Sequence, residues 1–278
     1  MRHYDHRVHA GNAGDVWKHF LLLEAADCLL TPDSSLVYAE SHVGRPEYSL
    51  KAACDGVGGI GKIWPVLPSL LNFCYFSILN ELNPRGLMRY PGSARLVWEL
   101  AKRKRSRLEI EVWDIDPDVA SAWNEYPETT PLSFHLGEGF SGVMSLLNEA
   151  IPGLLLIDPP FLDPEEVNAA EELFDRARES GWTVLCWHMV GTIDTVDTMD
   201  MMGREFLPES CFHESFHEFF HEFSIQFSQI GLDYCGAKGC AVAVNSPNGY
   251  IEHRLEGRIE EFRKVIQRFD WFLVGSSE

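Results

Sequence analysis

The chain has 278 residues, of which 45% are hydrophobic and 23% are charged, as in a soluble globular protein. This length suits one large α/β domain or two small ones. The formal net charge of −19 excludes a protein whose whole surface attracts a polyanion, so any binding of nucleic acid must depend on the local field over one site. No segment approaches the roughly 18 uninterrupted apolar residues of a membrane helix, and the start lacks the apolar stretch of a signal peptide. These features predict a cytoplasmic protein without a membrane partner.

Strand-like and helix-like segments alternate from about residue 13 onward, which predicts a parallel sheet flanked by helices. The first helix is expected to begin at Asp15, a residue type that caps helices, and to run to Leu29. The predicted strands are 35–40, 108–114, 132–136, 153–157, 183–188 and 240–245. The later predicted helices are 93–104, 117–124, 139–149, 164–180 and 251–268.

The connection between the first two predicted strands is too long for one crossover helix. Residues 48–90 contain several glycines and prolines around apolar stretches such as 67–79. We interpret them as a small inserted helical subdomain within a single domain, placed where it can shape access for a substrate.

The fourth predicted strand, 153–157, ends in the apolar run 154–157 and leads directly into Asp158-Pro159-Pro160-Phe161. The prolines restrict their own φ angles and donate no backbone hydrogen bond, so the carboxylate, the carbonyls and the aromatic ring keep a fixed relation. Such a corner can hold a planar amine, with Asp158 and a carbonyl accepting its hydrogens while Phe161 stacks on the ring. The same four residues are also compatible with an ordinary turn.

Acidic residues follow four of the predicted strands. Residues 40–44 follow the first strand, Asp114 ends the second, Glu138-Gly139 follow the third and Asp158 the fourth. In a doubly wound sheet the ligand binds beyond these carboxyl ends, and an acid after the second strand can accept hydrogen bonds from ribose hydroxyls. Glu138 is suited to meet the amine of a nucleoside cofactor. The four acids together predict a cofactor site at this edge.

Two further patterns have competing interpretations. The run 102–107 holds five of the 23 basic residues, which suits either the C-terminus of a helix or contact with phosphate. His213, His217 and His221 would align on one helical face, as metal ligands do. Residues 223–228 alternate apolar and polar side chains, however, which indicates that part of this tract is a strand. We predict no metal there, and the seven cysteines, which include no C-x-x-C pair, are expected to be reduced thiols.

The segment from Tyr4 to His19, YDHRVHAGNAGDVWKH, resembles the opening motif of the RlmJ family of 23S ribosomal RNA adenine-N6 methyltransferases. Further matches occur in the family's order up to about residue 190. They are Ser41-His42-x-Gly44, Tyr90-Pro91-Gly92-Ser93, Asp114, Glu138-Gly139-Phe140 and Ile157-Asp158-Pro159-Pro160-Phe161.

This resemblance implies a Rossmann-like class I methyltransferase sheet with a small helical insert, and S-adenosylmethionine as the cofactor. It implies catalysis by Asp158 with Pro159 and Phe161, and substrate contacts by Tyr4, Lys18 and Phe161. The implied partner is ribosomal RNA, protein-free or partly assembled, and the expected state is a monomer. The implied cofactor contacts are His19, His42, Gly44, Ser93, Asp114, Glu138, Gly139 and Asp158.

Three positions depart from the family pattern. Gly44 is followed by Arg45-Pro46 rather than by a second glycine, Phe161 replaces a tyrosine, and Glu138 replaces an aspartate. Two alternative functions therefore stay open. One is a non-catalytic, nucleic-acid-associated or DNA-utilisation protein that keeps the fold, and the other is a methyltransferase with a different amine acceptor.

Overall fold

The computed structural model describes residues 6–32, 34–50, 55–126, 131–148, 151–161, 164–190, 220–234 and 238–269. Nine strands occur in these ranges. They are β1 Ser35–Glu40, β2 Glu47–Ser49, β3 Arg89–Pro91, β4 Arg107–Asp114, β5 Leu132–Leu136, β6 Leu154–Ile157, β7 Thr183–Val190, β8 His221–Gln226 and β9 Gly239–Asn245.

Seven of the strands form one sheet in the order β5-β4-β1-β6-β7-β9-β8. Within the part β5-β4-β1-β6-β7, each pair of adjacent strands is parallel. β9 lies between β7 and β8 and is antiparallel to both. This mostly parallel sheet confirms the predicted fold class. All six strands predicted from the sequence are present, with bounds within two residues of the prediction.

Helices cover both faces of this sheet. In chain order they are α1 Ala13–Leu29, α2 Ile60–Ile63, α3 Cys74–Leu82, α4 Ser93–Lys104, α5 Pro117–Asn124, α6 Gly139–Leu146, α7 Pro164–Glu179 and α8 Tyr250–Ile266. Because side chains alternate along a strand, Leu154 and Leu156 of β6 enter the core beneath α1, α4 and α8. Leu155 and Ile157 enter a second core beneath α6 and α7. Burial on both faces explains why β6 is entirely aliphatic.

Helix α1 begins two residues earlier than predicted. Its N-cap is Asn12, whose side-chain oxygen accepts a hydrogen bond from the backbone N–H of Asp15. The Asp15 carboxylate in turn accepts a hydrogen bond from the backbone N–H of Gly11 (2.8 Å). The two side chains cap the helix reciprocally, so the prediction of Asp15 as the N-cap is wrong by three positions.

Between β1 and α4 the described residues form short helices and a two-stranded antiparallel ribbon of β2 and β3. The helices are 3-10 turns at Asp55–Val57 and Trp64–Ser69 together with α2 and α3. Phe73 and Phe76 of this region pack with Phe20 of α1 and Phe262 of α8. Its apolar residues are therefore continuous with the core on the α1 face.

Among the described residues, no single helix is long and apolar enough to cross a membrane. The segments Ile60–Ser69 and Cys74–Leu82 reach that length and apolarity only as a pair, which is bent by 102°.

The predicted strand within the His-rich tract is confirmed by β8. His221 stacks on Phe223 and lies 3.6 Å from the Glu256 carboxylate, whereas His213 and His217 lie outside the described residues. Within the described ranges no group of three or more His, Cys, Asp or Glu side chains could hold a metal ion.

Candidate active site at the carboxyl edge of the sheet

The corner after β6 lies at the carboxyl edge of the sheet, beside the end of β1. Phe161 has a φ of +48°, a left-handed conformation that a bulky side chain seldom adopts. Its ring packs against the core beneath α6 and α7. The aromatic residue is therefore held at the end of the corner by a constrained backbone, as a fixed platform requires.

The Asp158 carboxylate is paired with Lys18 of α1. Lys18 Nζ lies 2.5 Å from Asp158 Oδ2 and 3.0 Å from Asp15 Oδ1. Lys18 is 5% exposed and Asp15 is 3% exposed, and His6 lies 3.3 Å from the other oxygen of Asp15. Lys18, expected to contact the substrate, thus lies against the predicted catalytic carboxylate, and Tyr4 lies outside the described residues.

The charges of this buried cluster support one another. Burial lowers the pKa of Lys18, but the two carboxylates outweigh it and hold the ammonium charged. Burial raises the pKa of Asp15, and Lys18 and His6 reverse this so that it falls well below its usual value. Burial also raises the pKa of Asp158, against the opposing field of Lys18. Lys18 is therefore the cation that lets two carboxylates stay within the protein.

A second buried carboxylate, Glu40 at the end of β1, lacks such a cation. It is 0% exposed and accepts hydrogen bonds from Tyr38 (2.7 Å) and Ser93 (2.6 Å). Burial raises the pKa of Glu40 to about 8, and Asp158 adds to this increase. Ser93, an expected cofactor contact, is therefore bound to Glu40. The sequence indicated Glu40 as one of the four acids at strand ends but gave it no role of its own.

His19, the residue after Lys18, faces a pair of tyrosines. Its Nδ1 atom lies 2.8 Å from the Tyr90 hydroxyl, which lies 2.9 Å from the Tyr75 hydroxyl. Burial lowers the pKa of His19 to about 3, and Lys18 contributes in the same direction. The imidazole is therefore neutral around pH 7.

The turn after β1 packs against the start of α6. His42 Nδ1 is 2.9 Å from Ser41 Oγ, and its ring meets Phe140 edge-on at 4.8 Å. Burial lowers the pKa of His42 to about 4. A Cβ atom at Gly139 would lie 1.7 Å from the Ser41 carbonyl oxygen, so only glycine allows this contact.

Glu138 is the N-cap of α6, and its two carboxylate oxygens accept hydrogen bonds from Phe140 N and Ser141 N, both at 2.8 Å. Burial raises its pKa, but these two backbone N–H groups lower it more, and the result is below the usual value. The carboxylate is thus oriented by the helix end at the edge where it was expected.

Asp114 fixes the glycine turn that follows β1. Its carboxylate accepts hydrogen bonds from Gly44 N (3.1 Å) and Asp116 N (2.8 Å). Gly44 has a φ of +61°, and the Trp123 indole donates to its carbonyl (2.8 Å). The backbone N–H of Arg45 donates to the Tyr48 hydroxyl (2.8 Å). Arg45-Pro46 therefore extends a glycine turn that keeps its left-handed conformation.

The structure gathers the expected residues at one edge, in three groups. Lys18 and Asp158 are in direct contact, and His19 and the Ser93–Glu40 pair are coupled to them electrostatically. His42 packs on Phe140, the residue that follows Glu138 and Gly139, and Gly44 donates a hydrogen bond to Asp114.

The basic run lies away from this edge. Ser93 begins α4 beside Glu40, and the run follows after about 14 Å of helix. Lys102 pairs with Glu99, Arg103 with Glu81 and Lys104 with Asp27. Within the part of the chain that the structure describes, these three cations neutralise acids of the protein at the helix C-terminus.

Comparison with known families identifies the protein family of this chain. The model of the family described as "RsmJ: Ribosomal RNA large subunit methyltransferase D, RlmJ" matches residues 33–205, which is more than half of the chain. The chain belongs to this family. The matched range includes the RlmJ-like motifs from Ser41 to Phe161, and the opening segment from Tyr4 to His19 precedes it.

Two curated relatives carry the name "Ribosomal RNA large subunit methyltransferase J". The Escherichia coli protein is 28% identical over 170 residues, which cover 58% of this chain and 60% of the relative. The Haemophilus influenzae protein is 29% identical over 192 residues, which cover 66% of each. The chain thus spans about three fifths to two thirds of the length of the curated RlmJ relatives it matches.

A crystal structure of a protein from Legionella pneumophila has the same fold. It superposes with a TM-score of 0.70 at 22% identity, and the match covers 97% of this chain and 96% of that one. The fold of this RlmJ-family chain is therefore also observed by experiment in a protein of similar length.

Proposed function

We propose that this RlmJ-family chain is an S-adenosylmethionine-dependent methyltransferase that methylates the N6 amine of an adenine in ribosomal RNA. The observation that carries the proposal is the constrained corner after β6. There a carboxylate paired with Lys18, two proline carbonyls and the Phe161 ring keep a fixed arrangement. Membership of the RlmJ family and the names of the two relatives support ribosomal RNA as the substrate.

The residues at this edge fit S-adenosylmethionine. Asp114 is suited to the ribose hydroxyls and Glu138 to the adenine amine, since both present carboxylate oxygens at strand ends. Gly44 and Gly139 let the segments at this edge pack closely, because a Cβ atom at either position would clash with the Tyr48 hydroxyl or the Ser41 carbonyl. His19, His42 and Ser93 are the further contacts that we expect for the cofactor. When bound, S-adenosylmethionine supplies an electrophilic methyl group.

The corner residues prepare the acceptor amine. The lone pair of the adenine N6 atom is delocalised into the ring, so the amine must be held and oriented before it can act as a nucleophile. Asp158 and the Pro159 carbonyl can accept its two hydrogens while Phe161 stacks on the base. Lys18 opposes the rise in the pKa of Asp158 that burial causes, and its ion pair fixes the direction of the carboxylate. An unpaired or flipped adenine can enter this arrangement.

Replacement of Asp158 by Asn tests the proposal. The amide keeps the side-chain volume but replaces one carboxylate oxygen with a donor group, so we expect methylation to be abolished and binding of S-adenosylmethionine to be largely kept. Asp158→Ala should give the same result if the variant folds. Methyl transfer is measured with a radiolabelled donor and cofactor binding by calorimetry. Asp175→Asn, on the surface of α7, is the control, and retained activity in Asp158→Asn would contradict the assignment.

The acceptor is identified by offering the wild-type protein several substrates in the same assay. Protein-free ribosomal RNA, intact ribosomal subunits, DNA and lysate protein are compared. Label in protein-free ribosomal RNA, recovered as N6-methyladenosine after digestion, supports the proposal. Label in protein or in a small amine would instead support a methyltransferase with a different acceptor.

A second candidate function is a non-catalytic, nucleic-acid-associated protein that keeps the fold. The observation that favours it is the bulky Arg45-Pro46 pair directly after the glycine turn, where a cofactor should pass closely. Calorimetry separates the two functions. If S-adenosylmethionine does not bind at about 1 mM, its binding free energy is weaker than about −4 kcal/mol. That result favours the non-catalytic protein.

A further inference from the structure

A chain of hydrogen bonds between two tyrosine hydroxyl groups ends at the Nδ1 atom of His19. Tyr75 of α3 contacts Tyr90 of β3, and Tyr90 contacts His19 Nδ1. The three side chains are buried, with exposures of 0% for both tyrosines and 3% for His19. Within the described residues, the Tyr75 hydroxyl has Tyr90 as its one hydrogen-bond partner. The chain is therefore closed at the Tyr75 end and leads to the imidazole at the other.

The closed end sets the direction of the hydrogen bonds. If Tyr75 donates to Tyr90 and Tyr90 donates to His19 Nδ1, every hydroxyl hydrogen has an acceptor. If Nδ1 instead carries the proton and donates to Tyr90, the Tyr75 hydrogen has no acceptor in the core. Leaving a buried donor unsatisfied costs about 1–3 kcal/mol, so the first arrangement is favoured. His19 Nδ1 is then an acceptor, and the proton of the neutral ring is on Nε2.

The Nε2 atom is available to a ligand. It has no hydrogen-bond partner among the described residues, and it is not one of the buried polar atoms that lack a partner, so it opens onto accessible space. Burial lowers the pKa of His19 to about 3, which keeps the ring neutral. The atom therefore presents one N–H group and no lone pair.

We propose that Tyr90 positions His19 as an Nε2–H donor for the carboxylate of the amino-acid end of S-adenosylmethionine. The inference rests on the proposed function. Asp114 and Glu138 are suited to the ribose and adenine, which leaves the amino-acid end for the α1 side of the edge. Of the two charged groups at that end, the ammonium only donates hydrogen bonds and the carboxylate only accepts them. A ring with Nε2–H can therefore bind the carboxylate and not the ammonium.

The position of the proton is tested by NMR of the whole protein labelled with 15N-histidine. The His19 signals are assigned with the His19→Gln variant. At pH 7 we expect a protonated Nε2 and an unprotonated Nδ1. Tyr75→Phe is the matched control: Tyr90 becomes the closed end of the chain and must still donate, so the pattern should be unchanged. Tyr90→Phe removes the donor, and a population with Nδ1 protonated should appear.

A protonated Nδ1 in the wild-type protein would overturn the proposal. The same holds if Tyr90→Phe leaves the pattern unchanged, because Tyr90 would then not determine the position of the proton.

The ligand is tested by comparing S-adenosylmethionine with its decarboxylated form in calorimetry. Loss of a hydrogen bond to a charged group costs about 1.5–3 kcal/mol, so the ratio of the two affinities should fall roughly 10- to 100-fold in His19→Asn. Asn places its amide near the Nδ1 position and has no donor at the Nε2 position. Gln reaches the Nε2 position with an amide N–H and should restore part of the ratio.

If the ratio of the two affinities is unchanged in His19→Asn, His19 does not donate a hydrogen bond to the carboxylate of the cofactor. If the wild-type protein binds neither ligand, the proposed function fails and with it the assignment of the carboxylate. The NMR measurement still decides whether the tyrosines fix the proton on Nε2.

Discussion

Three acidic side chains at one edge of the sheet, buried Asp15 and Glu40 and half-buried Asp158, differ because of their neighbours. Asp15 and Asp158 share the Lys18 ammonium, whereas Glu40 has the hydroxyls of Tyr38 and Ser93. A buried carboxylate without a cation is stabilised as the neutral acid. The site therefore combines an ion-paired carboxylate that can accept hydrogen bonds with a protonated one nearby.

Removal of Lys18 should be strongly destabilising. Lys18→Met leaves the Asp15 and Asp158 carboxylates buried without their cation, and breaking a buried pair in this way costs about 3–5 kcal/mol. Urea unfolding at pH 7 measures the loss. The matched control is Lys62→Met, because Lys62 forms an ion pair with Asp233 at the surface, where such pairs contribute about 0–1 kcal/mol.

The triple variant Asp15→Asn, Lys18→Met, Asp158→Asn removes the charges together and should recover much of this stability. A loss in Lys18→Met no larger than that in Lys62→Met would show that the buried cluster contributes little.

Glu40 should make the protein less stable as pH rises. The pKa of Glu40 is about 8 in the folded protein, compared with an ordinary value of 4.5. Between these values the unfolded chain loses a proton that the folded chain keeps, so the free energy of unfolding falls by up to about 1.4 kcal/mol per pH unit.

Glu40→Gln is isosteric with the protonated acid and should remove this slope. Unfolding measured from pH 5 to pH 8 should give similar stabilities at the acidic end and a more stable variant at the alkaline end. Parallel curves for the two proteins would contradict a raised pKa for Glu40.

At the scale of an element, the regular strand β6 leads into a corner whose last residue, Phe161, has a backbone conformation that phenylalanine disfavours. β6 is buried on both faces and stops where Pro159 and Pro160 can no longer donate to a neighbouring strand. Phe161 follows at a φ of +48°. The position of the aromatic ring is therefore determined by the turn as well as by packing.

The conformation of Phe161 predicts an unusual order of stabilities. A left-handed conformation costs an L-residue about 1–2 kcal/mol, so Phe161→Gly should be more stable than Phe161→Ala by about 1 kcal/mol, although both lose the ring. Ser121→Gly and Ser121→Ala, in α5, are the control pair, and there Ala should be the more stable by about 1 kcal/mol. Thermal unfolding of the four variants gives the comparison, and the same order at both positions would exclude a left-handed Phe161.

The sequence predicted the elements of the main sheet better than the interior of the site. Strands such as β6 have apolar runs or alternations that are visible locally. The β2–β3 ribbon was missed because each strand has only three residues. Glu40, Tyr75 and Tyr90 were not selected as site residues because their roles depend on partners from other elements, which no local pattern reveals.

At the scale of the whole molecule, the net charge of −19 opposes the approach of RNA. The basic run at the end of α4 does little to offset it, because Lys102, Arg103 and Lys104 pair with acids of the protein. Recognition of the proposed RNA substrate therefore has to come from contacts close to the site, which act after long-range repulsion has been overcome.

This charge predicts that methylation of protein-free RNA becomes more efficient as salt is added, the opposite of the usual salt dependence of nucleic-acid binding. Screening shortens the range of the repulsion to about 10 Å at 0.1 M salt, so kcat/KM should rise between about 10 and 100 mM salt. Steady-state assays with a constant amount of Mg²⁺ measure this, with S-adenosylmethionine affinity at each salt concentration as the control. A steep fall with salt, typical of binding through many phosphate contacts, would indicate a basic surface outside the described residues.

The cluster of Lys18, Asp15 and Asp158 has one positive and two negative side chains, so it contributes a single excess negative charge to the site. S-adenosylmethionine has a net charge of +1, and the S-adenosylhomocysteine left after transfer is neutral. An excess negative charge in a poorly hydrated site attracts the first more than the second. The arrangement that holds the proposed catalytic carboxylate in place would thus also favour exchange of the spent cofactor and keep product inhibition weak.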